Sequence, residues 1–364
     1  MDNLDLPYWL GLIRFRKFGP IRLQKLQKAF PSMKDAFFAS AQDLIQAEIS
    51  PKIAQAFCEA RKEIEPEREY TNIIAHDLKI LLHTDPAYPE LLKEIHNPPQ
   101  LLFYKGVIPA SERQHIAVVG ARKPTHYGQR VVERIVAPLA QSKSVIVSGL
   151  AYGIDTLAHQ ATVDVGGTTI AVIGSGLDKQ SLYPKENKKL AEEICATGGA
   201  LISEFPINTP PLPAHFPIRN RIIAGMSSGT LVVEAKQKSG SLITARSALE
   251  SNRDVYAVPG PIDSELSEGP NNLIKMGATP VTDVSDIIPH LQSAQTITKN
   301  NYKPGSEKEL SVYNELSLEP THLDELVQNT PLSASEVMTT LTLMEMKGVV
   351  KHIGGQYYIK GSHA

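Results

Sequence analysis

Short apolar runs rich in valine and isoleucine alternate with helical stretches through the middle of this chain, and this alternation restricts its fold more than any other feature. Runs that are apolar throughout are typical of strands buried on both faces, and the helical segments between them are typical of crossover connections. We therefore predict an α/β fold built on a doubly wound, Rossmann-like parallel sheet. The predicted strands are Ile116–Val119, Val145–Val147, Thr169–Ile173, Ala200–Ser203, Thr230–Val233 and Val255–Val258, with a last one near Thr279–Thr282, and the clearest helices are Gly128–Gln141, Asn187–Thr197 and Ser241–Ser251.

Further domains flank this central domain, which we place at residues 113–290. Residues 1–65 contain several short helical patterns and predict a small helical domain of the helix-hairpin-helix or SAM type. Residues 66–112 are punctuated by proline and predict a connector with one short strand, packed on the central domain. Six basic side chains on the first helical pair leave two interpretations open, a contact with nucleic-acid phosphates or a solvated face: Arg14, Arg16, Lys17, Arg22, Lys25 and Lys28.

The carboxyl-terminal region predicts a linker followed by a winged helix. Residues 291–306 are polar and unpatterned, whereas residues 307–364 contain three helical segments and then a hairpin. The third helical segment carries Glu336 and Glu345, and it has no basic residue before Lys347. Because attraction to phosphates needs lysine or arginine, we expect a folding or protein-contact role for this winged-helix domain rather than reading of a DNA groove.

Composition narrows the choice of partner and compartment. The formal net charge is −2, so any nucleic-acid site must be a local basic groove. The two cysteines, Cys58 and Cys195, are far apart, which predicts unpaired thiols in a reducing compartment. No apolar run is long enough to span a bilayer and Met1–Asn3 does not begin a signal peptide, so we expect a cytoplasmic protein that does not contact a membrane.

The turns after the predicted strands hold the candidate binding residues. The stretch Val147–His159 (VSGLAYGIDTLAH) runs from a strand through a glycine-bearing turn into a helix start, where free N–H groups can bind a phosphate. No acidic residue lies at helical spacing from Arg219 and Arg221, which favours a ligand over an ion pair within the helix. Several such turns on one sheet edge fit the serial phosphates of a polynucleotide better than a mononucleotide. These candidates are Arg122, Gly149, Gly153, Lys185, Arg219, Asn220, Arg221, Lys238, Ser239, Gly240 and Ser241.

The sequence offers no motif for a cofactor or a metal. It has no G-x-x-x-x-G-K-[ST] run, its glycine turns lack the G-x-G-x-x-G spacing of dinucleotide sites, and it has no H-E-x-x-H or clustered His/Cys signature. Asp155, His159 and Glu234 could serve acid–base chemistry. We favour structural roles, a carboxylate at a helix start for Asp155 and a hydrogen-bonded histidine one turn later for His159. We therefore expect a protein that is not an enzyme and needs no cofactor.

Taken together, these motifs resemble the DNA-processing protein A family (DprA, also called Smf). The helical and winged-helix flanks also look like that family's arrangement. The matching stretches lie in order across residues 113–283: GARKPTHYG (120–128), VSGLAYGIDTLAH (147–159), TIAVIGSGLD (169–178), YPKEN (183–187), LISEFP (201–206), HFPIRNRIIAGMSSGTLVVEA (215–235), KSGSLITARSALE (238–250) and VYAVPGPI (255–262).

The resemblance implies an extended Rossmann fold that binds single-stranded DNA without catalysis. It implies a mediator of homologous recombination that protects incoming single strands in natural transformation and helps load the RecA recombinase on them. It also implies a homodimer through the Rossmann domain, here through Asn271–Val281. Carried over by motif, Arg122 and Lys185 match the DNA-contacting cations, and the RNR (219–221) and KSGS (238–241) segments line the same pocket.

Three positions depart from the family pattern. Ala121 replaces a commoner serine, and the stretch Asp178–Tyr183 is longer than usual ahead of Lys185. Tyr152 stands where an arginine or lysine is usual, so one phosphate contact is lost or replaced by base stacking. Tyr152 joins the predicted single-stranded DNA site on that basis.

Two other hypotheses stay open at the level of sequence. One is a Rossmann-like hydrolase related to the nucleoside-monophosphate phosphoribohydrolases, with Glu234 and Arg122 as its acting residues, although GMSSGT (225–230) lacks the PGG core of those enzymes. The other is a scaffold that recruits partners, with the winged helix as its contact module.

Overall fold

The computed structural model describes residues 5–110, 112–289, 304–317 and 320–360. The chain divides into two compact units, one before and one after residue 291. The predicted linker at 291–306 lies outside the described residues except for its last three. Across the described ranges, none of the helices combines the length and the apolar character that crossing a membrane requires.

Six helices open the first unit and enclose an aromatic core. The rings of Phe15, Phe18 and Phe37 lie 5.4, 4.7 and 5.7 Å from the ring of Phe57, centroid to centroid. Phe57 is fully buried, and tilted or edge-on rings at these distances add to the gain from apolar burial. The same buried cluster extends to Phe103 in the sheet, so the helices and the sheet share one core. The helices are α1 (Leu6–Arg14), α2 (Pro20–Ala29), α3 (Met33–Phe38), α4 (Ala41–Gln46), α5 (Pro51–Ala60) and α6 (Pro66–Ala75).

A nine-stranded sheet forms the body of the described part of the first unit. Its strands are β1 (Lys79–Leu82), β2 (Leu101–Gly106), β3 (His115–Val119), β4 (Val145–Ser148), β5 (Thr168–Ile173), β6 (Ala200–Ser203), β7 (Gly229–Val232), β8 (Asp254–Ala257) and β9 (Thr279–Pro280). The helices between them are α7 (Glu90–Lys93), α8 (His126–Val131), α9 (Ala137–Gln141), α10 (Ile154–Asp164), α11 (Lys188–Ala196), α12 (His215–Gly225), α13 (Gly240–Glu250) and α14 (Glu268–Lys275).

The strand order places one crevice at the centre of the sheet. The order is β1-β2-β6-β5-β4-β3-β7-β8-β9, and all neighbours from β6 to β9 are parallel. The chain winds outward from β3 to β6, then continues on the other side of β3 with β7 to β9. This doubly wound order confirms the fold predicted from the apolar runs. Ligands of such sheets bind at the switch between the two halves, here between the carboxyl ends of β3 and β7.

The region predicted as a connector contributes more to the sheet than expected. The prediction of one short strand in residues 66–112 is wrong, because both β1 and β2 form there and pair antiparallel with each other. β2 in turn pairs antiparallel with β6. The four residues of β1 lie at the sheet edge with only two of them buried, so their strand conformation depends on a partner that local sequence does not reveal. The domain boundaries at residues 65 and 112 stay predictions.

The helix predicted at Gly128–Gln141 is right in extent, but it is not uniform. Its middle, Val132–Val136, forms a π-helical turn between α8 and α9.

The second unit has the predicted succession of three helices and a hairpin. The described elements are α15 (Glu307–Glu315), β10 (Thr321–His322), α16 (Leu323–Asn329), α17 (Ala334–Met346), β11 (Val350–His352) and β12 (Tyr357–Lys360). The three strands form a small sheet in the order β10-β12-β11. Leu326, Val337, Leu341 and Met344 are buried between the helices and this sheet, which is the layered core of a winged helix.

A buried series of hydrogen bonds through His159 fixes the turn between β4 and α10. The His159 imidazole lies 2.7 Å from the Thr169 hydroxyl through Nδ1, and its Nε2 accepts a hydrogen bond from the Leu150 N–H at 3.3 Å. Since Thr169 donates its own proton to the Ile146 carbonyl, His159 carries its proton on Nδ1 and is neutral. Burial, with the nearby Arg219 charge second, lowers the pKa of His159 to about 3. His159 is therefore the hydrogen-bonded histidine that the sequence favoured.

Replacing Phe57 with alanine should lower the free energy of unfolding by about 3–5 kcal/mol, because a buried ring with three aromatic neighbours is lost and a cavity remains. Trp9, the chain's one tryptophan, is buried in the same cluster, so its fluorescence during a urea titration measures the effect. Phe38 is 60% exposed, and Phe38→Ala is the control with a small expected loss. Equal losses in the two variants would contradict the assigned core.

His159 should make stability depend on pH in a defined direction. An unfolded histidine titrates near 6.5, whereas the folded one stays neutral down to about 3, so its contribution is complete above pH 6.5 and is lost as the pH falls towards 3. The difference in unfolding free energy between the wild type and His159→Gln should shrink by about 1.4 kcal/mol per pH unit between pH 6 and 4. Denaturant titrations at several pH values measure it, and a difference that does not change with pH would refute the assignment.

Candidate nucleic-acid interface

A groove of about 390 Å³ opens at the carboxyl edge of the sheet, at the switch between β3 and β7. Gly120 and Arg122 line it from the turn after β3, and Ser239, Gly240 and Ser241 line it from the start of α13. Helix α12 contributes Phe216, Arg219 and Asn220, and α10 contributes Asp155. The structure thus brings six of the predicted site residues to one groove: Arg122, Arg219, Asn220, Ser239, Gly240 and Ser241.

Arg219 is a buried cation that ties three elements together. It is 4% exposed, and its Nη1 donates to the carbonyl of Gly149 at 2.6 Å and to the carbonyl of Val172. The Gly149 N–H donates at 3.1 Å to the Asp155 carboxylate, so the N–H and the carbonyl of this one residue contact the two opposite charges. Burial lowers the pKa of Arg219 to about 10 and raises the pKa of Asp155 to about 6. Arg219 therefore holds the floor of the groove with most of its hydrogen-bonding capacity in use.

The two predicted glycines, Gly149 and Gly153, are required by close approaches within the protein itself. A Cβ on Gly149 would lie 2.3 Å from Nη1 of Arg219. Gly153 has a φ of +79°, and a Cβ there would lie 2.2 Å from the Ala121 carbonyl oxygen. Both sites exclude a side chain because the turns after β3 and β4 pack directly on each other and on Arg219.

Asn220 and Arg221 differ in what they can offer a ligand. Asn220 accepts a hydrogen bond from Nε of Arg219 at 3.0 Å and donates to the Gly240 carbonyl at 3.2 Å, so it braces the KSGS turn. Nη2 of Arg221 contacts both carboxylate oxygens of Glu204, at 2.7 and 2.8 Å. Glu204 lies directly after β6, a position that helical spacing cannot reveal. Arg221 therefore forms an ion pair, with Glu204, which the sequence had disfavoured because only acidic residues at helical spacing were considered.

Three of the predicted cations are exposed at this edge: Arg122, Lys185 and Lys238. Asn187 anchors the turn that carries Lys185, donating to the Leu150 carbonyl at 2.9 Å and to the Thr156 hydroxyl at 2.7 Å. The longer stretch before Lys185 is also fixed, because the Asp178 carboxylate accepts from the backbone N–H groups of Ser181 and Asn208 at 3.0 and 2.7 Å. Lys185 is thus presented by a braced turn beside the β4–α10 turn.

Aromatic rings accompany these cations. The ring of Tyr183 lies 6.0 Å from that of Tyr152 and 6.3 Å from that of Phe216, centroid to centroid. The Arg122 guanidinium lies 5.6 Å from the centroid of the Phe216 ring. Sequence reasoning included Tyr152 but missed Tyr183 and Phe216. Both could have been found from their proximity in sequence to predicted site residues, since Tyr183 lies two residues before Lys185 and Phe216 lies three before Arg219.

Glu234 has a structural task at the start of α8. Its Oε1 accepts from the Thr125 hydroxyl at 2.5 Å and its Oε2 accepts from the Thr125 N–H at 2.9 Å. Gly128 packs directly against this carboxylate, because a Cβ on Gly128 would lie 2.4 Å from Oε2. Both carboxylate oxygens are therefore engaged with the turn that presents Arg122. Within the described ranges, no three His, Cys, Asp or Glu side chains are grouped as a metal site.

Comparison with known proteins places this chain in a family. The profile described as DNA recombination-mediator protein A matches residues 79–292, and the DprA winged helix domain matches residues 298–356. The Smf protein of Synechocystis sp. is 34% identical over 98% of this chain and 99% of its own.

Two solved structures are similar as well. The X-ray structure of DNA processing protein A from Streptococcus pneumoniae has a TM-score of 0.65 and 35% identity, covering 79% of this chain and 98% of that one. The structure of DNA processing protein A from Helicobacter pylori has a TM-score of 0.51 and 27% identity, covering 62% of this chain and 97% of that one. That structure was reported for its unique single-stranded DNA binding mode. The resemblance inferred from the motifs is confirmed. This chain belongs to the DNA recombination-mediator protein A family, the DprA or Smf proteins.

Proposed function

We propose that the carboxyl edge of the sheet binds the backbone of single-stranded DNA, and that the protein is a recombination mediator without catalytic activity. The observation that carries this proposal is the set of exposed cations on separately braced turns, Arg122 after β3, Lys185 before α11 and Lys238 before α13. Cations spaced along one edge suit a chain of phosphates, which gives salt-sensitive binding with little sequence preference. Family membership supports the same ligand.

The proposal extends to the later steps implied by the family. We infer that the bound strand is protected and passed to the RecA recombinase, as in natural transformation. Formation of RecA filaments on a labelled single strand, with and without this protein, tests the step. Faster filament formation would support it, whereas an unchanged rate beside tight DNA binding would restrict the function to strand protection.

The geometry favours binding over the alternative of a nucleoside-monophosphate hydrolase. That alternative needs Glu234 as an acting carboxylate next to Arg122. Both oxygens of Glu234 accept hydrogen bonds from Thr125, so the carboxylate is committed to the turn. Asp155, which lines the groove, also accepts a hydrogen bond, from the Gly149 N–H.

We further propose that two copies associate through Asn271–Val281. This segment includes the end of α14 and the two-residue strand β9, which is the last strand at its edge of the sheet. Met276 is 77% exposed there, and nearby in sequence Ile262 is 97% exposed. Large apolar side chains beside an open sheet edge favour a protein partner.

Arg122→Ala and Lys185→Ala should each weaken binding to a single-stranded oligonucleotide and flatten its salt dependence. Each lost phosphate contact should lower the slope of log affinity against log salt by about 0.7. Fluorescence anisotropy of single- and double-stranded oligonucleotides at several salt concentrations measures both quantities. Lys143 is exposed at the amino end of β4, at the opposite edge of the sheet, and Lys143→Asn is the matched control because asparagine tolerates its φ of 69°. Wild-type slopes in both test variants would reject the groove.

Met276→Arg should shift the protein from dimer towards monomer, because it places a charge in the proposed apolar contact. Light scattering during size-exclusion chromatography gives the mass. Met346 is 81% exposed in the winged helix, and Met346→Arg is the control expected to leave the mass unchanged. A wild-type monomer, or a dimer that survives Met276→Arg, would exclude this interface.

A further inference from the structure

Tyr152 and Tyr183 form a pair of exposed aromatic faces beside the cations of the groove. They are 36% and 39% exposed, although most of a tyrosine side chain is usually buried in a folded protein. Their rings meet edge to face, at 86° between planes and 6.0 Å between centroids, and more than a third of each residue stays exposed despite this contact. Lys185 follows Tyr183 by two residues, so a cation and an aromatic face are presented by the same turn.

The two rings are held in place by polar and aromatic contacts. The Tyr152 hydroxyl donates to Oε2 of Glu186 at 2.7 Å, and Glu186 belongs to the turn that Asn187 anchors. Tyr183 also packs against Phe216, whose ring lies against Gly174 so closely that a Cβ there would be 3.0 Å away. The hydrogen bond to Glu186 raises the pKa of Tyr152 to about 12, so the ring is neutral in the physiological range. The faces are thus preorganised and cost little conformational entropy on binding.

We propose that Tyr152 and Tyr183 stack on unpaired bases of the bound strand, so that the groove recognises exposed bases as well as phosphates. This inference rests on the proposed function and adds the reason for a single-strand preference. Bases in a duplex are covered on both faces by their neighbours, so these rings cannot stack on them without opening the helix. Every base has a stacking face, so the contact adds affinity without adding sequence preference.

The experiment compares two ligands that differ only in their bases. One is a short oligothymidylate, and the other is an abasic oligonucleotide of the same length and phosphate number. Tyr152→Leu and Tyr183→Leu should each weaken binding to oligothymidylate by roughly 5- to 150-fold and leave binding to the abasic strand and the salt slope unchanged. Tyr152→Phe keeps the ring but loses the hydrogen bond to Glu186, so it should bind oligothymidylate more tightly than Tyr152→Leu. Tyr357 is 43% exposed in the winged helix, and Tyr357→Leu is the matched control.

A spectroscopic measurement separates stacking from a structural effect. A single 2-aminopurine in the strand should lose fluorescence on binding to the wild type and regain it with Tyr152→Leu or Tyr183→Leu, at protein concentrations that saturate each complex. Equal wild-type affinity for the two ligands, or leucine variants that weaken both ligands alike, would overturn the stacking proposal and leave the phosphate groove intact. Failure of the wild type to bind either ligand would instead refute the proposed function itself, and the stacking proposal with it.

Discussion

The buried guanidinium of Arg219 is the contact on which the carboxyl edge of this sheet depends. A charge in a protein interior is tolerated only when its hydrogen bonds are satisfied and an opposite charge is near. Here the carbonyls of Gly149 and Val172 accept from it, and the Asp155 carboxylate, which accepts from the Gly149 N–H, is the nearby opposite charge. Helix α12 is thereby fixed to the ends of β4 and β5. Removing this one side chain would take a hydrogen-bond donor from two buried carbonyls and the nearby positive charge from a buried carboxylate.

The braced framework explains why the cations at this edge divide into two kinds. Arg219 and Arg221 are engaged by protein groups, the backbone carbonyls and Glu204 respectively, and Arg219 lines the groove. Arg122, Lys185 and Lys238 are exposed, and each stands on a turn that other residues hold in place. A ligand that neutralises the exposed cations does not have to break the contacts that Arg219 and Arg221 make with protein groups. Local basicity of this kind is compatible with a formal net charge of −2 for the whole chain.

Local sequence was sufficient for the features that depend on neighbours along the chain. The parallel strands from β3 to β8 were predicted to within a residue because they are apolar on both faces, and a glycine directly follows β3, β4 and β5. Features that depend on distant partners were missed. β1 becomes a strand only by pairing with β2, Glu204 reaches Arg221 from another element, and Tyr183 meets Phe216, which lies in helix α12. The predicted roles of the site residues concern a ligand, and binding measurements decide them.

The charges of the winged helix agree with placing the proposed DNA contacts at the sheet edge. α17 is the helix that would enter a groove, yet no lysine or arginine lies between Ser333 and Lys347. Its first acidic residue is committed to folding, because Glu336 forms a capping box with Ser333 and an ion pair with Lys308 at 2.9 Å. Lys347, the first cation after the helix, is paired with Glu309. Since phosphate binding needs cations that are free to exchange their partners, the exposed set around Arg122 is better suited to it than α17 is.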